Sequence, residues 1–166
     1  MAEKKLVVDN LQLAYNGIFN IHDFFVKAEE WARENGFERE LKKNFEHTFP
    51  EGKKVEWLVE LWKQVSESER VTIRVRALFN NLRDVELKRH GVVALLNQAD
   101  VFIIFDGFLE TDYEARWEQK PTFFFLRAVF DKLIYKFYTD KYHVDVIQAT
   151  YDLHRKMKAF FNLYRY

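Results

Sequence analysis

Three sets of side chains have types and spacings that could do chemistry. The first is a run of cations: Arg39, Lys43 and His47 share strand parity with Phe37, Leu41, Phe45 and Phe49, and Lys63 sits similarly on the next apolar stretch. An apolar face with intermittent cations suits an amphipathic ligand with an acidic or phosphate head, since the wall takes the body and a cation meets the anion. The same pattern also suits an edge strand whose inward charges resist pairing with a neighbour. A third reading, tracking of single-stranded nucleic acid by cations and aromatics, is disfavoured by the balance of 26 Lys and Arg against 26 Asp and Glu. The second set is acidic. Asp106, Glu110 and Asp112 share parity, and two acids on one face can do acid–base work. They can equally pair across strands with Arg74 and Arg76. The third set is Asp140 and His143, three residues apart on a helical stretch. A metal could use them, but a solvated helix face explains them as well.

Other chemistries are excluded by composition. With no cysteine there is no disulfide scaffold, thiolate zinc site or Cys nucleophile. Only five glycines occur. No phosphate loop, dinucleotide fingerprint or Gly-x-Ser-x-Gly elbow is present. The five histidines include no His-Glu-x-x-His. Binding is favoured over catalysis, and no cofactor is expected. Tyr113, Arg116 and Trp117, among charges before Pro121, read either as a recognition loop or as a connection whose Trp caps the core. Seventeen Phe, eight Tyr and four Trp call for a deep core, with a cavity or interface as the alternative destination for so much aromatic surface.

The elements that must position these residues follow from periodicity. Residues 6–19 alternate, with Leu11, Leu13 and Tyr15 on one face and a bulge at Asp9–Asn10. Asn20 is an N-cap, and Phe24, Phe25, Ala28, Trp31 and Ala32 recur at helical spacing until Asn35–Gly36 stops the helix. Strand two places Phe37, Leu41, Phe45 and Phe49 on one face, and Phe45 is expected in the core. Strand three points Val55, Trp57, Val59, Leu61 and Val65 inward. Strand four carries Val71, Ile73, Val75, Ala77 and Phe79. A hairpin across Arg89-His90-Gly91, a turn at residues 97–100 and a last strand over 101–113 complete the sheet.

The expected fold is α+β: a curved antiparallel sheet of about six to seven strands gripping a long C-terminal helix, with one helix after strand one. A single domain over residues 1–166 suits the length. This element order resembles the helix-grip fold of the START and polyketide-cyclase-like superfamily, which implies a cavity for a hydrophobic ligand between sheet and helix. The segments Glu110-Thr111-Asp112-Tyr113-Glu114 with Trp117 and Lys120-Pro121, and Ala159 to Tyr166, resemble uncharacterised archaeal proteins of similar length.

Residues 121–166 read as helix throughout, with a bend near Thr139-Asp140-Lys141. At about 1.5 Å per residue a straight helix would run roughly 70 Å, against a domain diameter of about 40 Å. Residues 143–166 should therefore overhang or fold back. Tyr151, Met157, Phe160, Phe161 and Tyr164 then become interface candidates in a homo-oligomer or with another protein. Two functional classes follow. One is a non-enzymatic module binding an apolar or amphipathic, anionic-headed small molecule through Arg39, Lys43, His47, Lys63, Tyr113 and Trp117. The other is an assembly protein self-associating through its C-terminal helix. Asp9 interrupts Leu6-Val7-Val8 after Met1–Lys5, so no signal peptide is expected. The longest apolar window, Val101 to Phe105, is far short of the ~20 residues of a membrane span, and a soluble cytoplasmic protein is the expectation.

Overall fold

A computed structural model describes residues 3–111 and 135–164. The order is β1 (Glu3–Phe19), α1 (Ile21–Glu34), β2 (Glu38–Phe49), β3 (Gly52–Gln64), β4 (Glu69–Arg89), β5 (Val92–Thr111) and α2 (Tyr135–Asn162). The strands form one curved, open antiparallel sheet in the order β1-β5-β4-β3-β2, so β1 and β2 are its edges. The α+β class is as expected. The described sheet has five strands rather than six to seven.

The strand count falls because two expected breaks are absorbed within strands. Asn81 takes a left-handed φ of 55°, and the β4–β5 register shifts between Asn80 and Arg83. Residues 71–79 and 84–88 thus become one strand. The expected turn at residues 97–100 stays paired, because its polar side chains find partners within the sheet. Asn97 donates to Asp84 at 2.9 Å, Gln98 accepts from Arg83 at 3.2 Å, and Asp100 accepts from Asn16. The hairpin turns at His90 (φ 52°) and Gly91 (φ 78°), both left-handed, the geometry that matches strand twist in a two-residue loop.

Helix α1 follows its local signals. Asn20 Oδ1 accepts from Asp23 N at 3.2 Å. At the other end Gly36 N donates to Arg33 O and Phe37 N to Ala32 O, the paired bonds of a Schellman stop, for which Gly36 supplies a φ of 75°. Phe24, Ala28, Trp31 and Ala32 are buried.

Helix α2 lies across the same sheet face. At about 1.5 Å per residue its 28 residues span roughly 42 Å, comparable with the domain. Val146, Leu153, Met157, Phe160 and Phe161 are buried, so this part of the helix packs on its own chain. The expected bend at 139–141 is replaced by continuous helix. Met157, Phe160 and Phe161, expected at an interface, are core residues instead. The buried stripe runs through Val146, Thr150 and Leu153, while the neighbouring Val144, Ile147 and Tyr151 are 48%, 41% and 46% exposed.

The middle of the grip is filled. Phe24 lies 5.3 Å from Phe79, 5.7 Å from Phe161 and 5.9 Å from Trp57, and Tyr15 stacks on Phe161 at 4.7 Å. Each of these rings is buried. This cluster absorbs much of the aromatic content that composition left unplaced.

Candidate functional site, a cleft between the C-terminal helix and the sheet

Strand β3 sends Val55, Trp57, Val59 and Leu61 into the core in strict alternation. The next residue of that face is Lys63. It arrives where the aromatic core has ended, and a cleft of about 640 Å³ opens there. Its walls are Asn35 and Phe37 after α1, Lys63 and Val65 from β3 and its loop, Val71 from β4, and Asp145, Gln148, Ala149, Asp152 and Arg155 from α2. The volume lies within the range of small-molecule sites, about 300–1,000 Å³.

The floor is apolar and the rim is charged. Phe37 is fixed by Trp31, whose ring centroid lies 5.2 Å away. The Lys63 stem passes over Gly36: a Cβ on that glycine would lie 3.6 Å from Lys63 Cε. Lys63 Nζ sits 5.9 Å from the Phe37 ring centre, within cation–π range. Asp152 accepts from Trp31 Nε1 at 2.8 Å and from Arg155 at 3.3 Å. Among the described residues, Lys63 has no carboxylate partner, and Asp145 and Gln148 have no hydrogen-bond or ionic partner. The cleft thus presents open polar groups over an apolar base.

Beside the cleft lies Glu69, 5% exposed at the start of β4. Its Oε2 has no hydrogen-bond partner among the described residues. Burial pushes its carboxyl up to about 7, against a smaller opposing effect of the Ser66 hydroxyl. The folded state therefore holds this proton more tightly than the unfolded chain. Stability from Glu69 is complete below about pH 4.5 and is lost as pH rises to about 7. Glu69→Gln should raise the melting temperature at pH 8 and leave it unchanged at pH 4. Equal shifts at both pH values would show that the carboxyl is not buried as a proton-binding group.

The four expected basic residues are not brought together. The β2–β3 register shifts between Leu41 and Lys43, and this bulge turns the rest of β2 over. Arg39 and Leu41 stay on the helical side, where Arg39 pairs with Glu29 of α1. Lys43, Phe45, His47 and Phe49 move to the opposite face. Lys43 pairs with Glu56 at 3.0 Å, and that bond holds the Glu56 carboxyl below its usual range. His47 lies 6.1 Å from the Phe45 ring and 4.4 Å from Phe49. Every β2 residue is exposed, including Phe45 at 47%, which corrects its expected place in the core. Only Lys63 of the four lines the cleft. Tyr113, Arg116 and Trp117 lie outside the described residues. Tyr151 is exposed on α2, while Tyr164 is half-buried 5.4 Å from Phe160, and burial there raises its hydroxyl pKa.

The acids of the last strand are engaged by basic and backbone groups. Glu110 accepts from Arg70 Nε at 2.8 Å, and Lys4 lies 3.5 Å from it. Asp106 accepts from Asn10 N at 2.8 Å. Arg74, opposite Asp106 in register, reaches Glu60 at 3.6 Å instead. Lys4 and Arg74 both lie over the Phe108 ring, at 4.5 and 4.7 Å. Asp112, and the Asp140 side chain expected beside His143, lie outside the described residues. Among the described residues, no group of three or more His, Asp or Glu is placed to hold a metal.

Sequence reasoning missed Asp145, Gln148, Asp152 and Arg155 as a set. Their spacing of three, four and three residues is one helix face. The signal was the polar stripe flanking the buried one, visible only once the buried stripe is placed at Val146, Thr150 and Leu153.

Among the described residues, no helix is long and apolar enough to cross a membrane. No family model matches the chain, and no curated protein or solved structure matches it.

Proposed function

We propose that this protein is a non-enzymatic binding module that takes an apolar or amphipathic small molecule into the α2–sheet cleft. The observation that carries this reading is Lys63, an ammonium without a carboxylate partner among the described residues, over the apolar floor of Phe37, Val65, Val71 and Ala149. In a domain whose centre is closed by packed rings, this cleft combines volume, apolar surface and an open charge. The resemblance to helix-grip proteins points the same way. The head-group contact is assigned to Lys63 alone, because Arg39 and Lys43 are held in ion pairs with Glu29 and Glu56.

Decanoate is the test ligand. It should perturb the methyl resonances of Val65, Val71 and Ala149 in a two-dimensional NMR titration. Lys63→Met should weaken that binding by about tenfold or more, the scale of a hydrogen bond to a charged group at about 1.5–3 kcal/mol. Absence of any methyl perturbation at millimolar decanoate would remove the cleft as a binding site for this class.

A second reading, self-association through α2, keeps one specific support: the exposed stripe of Val144, Ile147 and Tyr151. If it holds, light scattering should give a dimer mass at tens of micromolar, and Ile147→Glu should return a monomer. A monomeric wild type at that concentration would end this reading.

A further inference from the structure

We propose that the ligand of the cleft is a zwitterion with an apolar body, the chemistry of a small apolar dipeptide. This inference rests on the cleft being the binding site and adds what charge it accepts. Four charged residues line the cleft: Lys63, Asp145, Asp152 and Arg155. Two of them satisfy each other, since Asp152 accepts from Arg155 and is also fixed by Trp31 Nε1. The remaining two are of opposite sign and come from different elements of the cleft, Lys63 from β3 and Asp145 from α2. Neither has an ionic partner among the described residues.

A purely anionic amphipath would satisfy Lys63 and leave the Asp145 carboxylate against its apolar body. Covering an unpaired carboxylate with apolar surface is unfavourable. A purely cationic one would do the converse to Lys63. A zwitterion meets both, with its carboxylate on Lys63 and its ammonium on Asp145. Gln148 lies three residues after Asp145 on the same helix face, and its amide has no partner among the described residues. It offers both a donor and an acceptor to the ligand's peptide group. Phe37, Val65, Val71 and Ala149 take the side chains.

The test compares three forms of one body by titration calorimetry: leucyl-phenylalanine, its N-acetyl derivative and its C-terminal amide. The free dipeptide should bind at least tenfold more tightly than either blocked form. Asp145→Asn should weaken the free dipeptide to the level of the N-acetyl form and leave the N-acetyl form unchanged. Lys63→Met should do the same relative to the amide. Both substituted side chains lie on the cleft rim, and thermal melts coincident with the wild type would show the fold intact. Equal affinity of the N-acetyl and free forms would overturn the zwitterion while leaving the cleft as an anion-headed site. Binding of decanoate with no binding of any dipeptide form would overturn it in the same way. Failure of decanoate and all three dipeptide forms would remove the proposed function together with this inference.

Discussion

Phe161→Ala should destabilise the protein by roughly 3–5 kcal/mol, the range for removing a fully buried ring from a core that cannot collapse around the gap. Phe161 is 2% exposed. Its ring meets Tyr15 at 4.7 Å, Phe160 at 5.2 Å, Phe19 at 5.5 Å and Phe24 at 5.7 Å. Those partners come from β1, α1 and α2, so one side chain ties three elements together. The gap left by truncation would be walled by rigid rings, which puts the cost near the top of the range. Phe45→Ala, by contrast, should cost less than about 1 kcal/mol, because Phe45 is 47% exposed on the edge strand. Denaturant titrations of the two variants check both figures. A larger loss at Phe45 than at Phe161 would mean that β2 turns Phe45 to the core.

Gly107→Val should destabilise the protein by forcing α2 off the middle of the sheet. A Cβ at Gly107 would lie 2.5 Å from Thr150 Oγ1, 2.8 Å from Val146 Cγ1 and 3.3 Å from Val8 Cβ. Thr150 and Val146 are wholly buried, and the Thr150 hydroxyl donates to Val146 O at 2.7 Å. Neither side chain has room to swing away, so α2 itself must move off β5. Overpacking of this kind costs about 1–3 kcal/mol, more where a helix must shift. Gly107→Ala should show a smaller loss from the same cause. Pairing Gly107→Ala with Thr150→Ala should recover part of it, because the nearest clashing atom is then gone. If the double variant is no more stable than the sum of its single changes allows, close approach of the helix is not the reason for glycine here.

The cleft and the core differ in how far each was legible. Strand β3 was readable from Val55 to Leu61: Val55, Trp57, Val59 and Leu61 alternate and all four are buried, whereas Val65, expected on the same face, lies past the strand's end and is half-buried. Both ends of α1 were readable from Asn20 and Gly36, because capping is a local interaction between residues a few positions apart. Strand β2 was misread after Leu41. Its parity is unbroken in the sequence, and nothing local announces a bulge at residues 42–43. The shift is set by pairing with Leu58 and Val59 of β3, and it carried Lys43, Phe45 and His47 to the other face together.

What the sequence determined by itself was therefore what short-range physics controls: the α+β class, the two ends of α1, the His90–Gly91 turn and the inward face of β3 from Val55 to Leu61. The tertiary structure decided the rest. It fused the expected short strands into β4 and β5, because Asn97, Gln98 and Asp100 found partners on neighbouring strands. It chose Val146 and Leu153 over Val144 and Ile147 as the buried stripe of α2. An apolar residue every three to four positions leaves two adjacent helix faces nearly equivalent, and only the sheet beneath breaks the tie. That same choice placed Asp145 and Gln148 on the cleft that Lys63 lines. These residues lie some 80 positions apart in the chain, and their juxtaposition has no local cause. It follows from where the helix sits once the aromatic cluster has filled the centre.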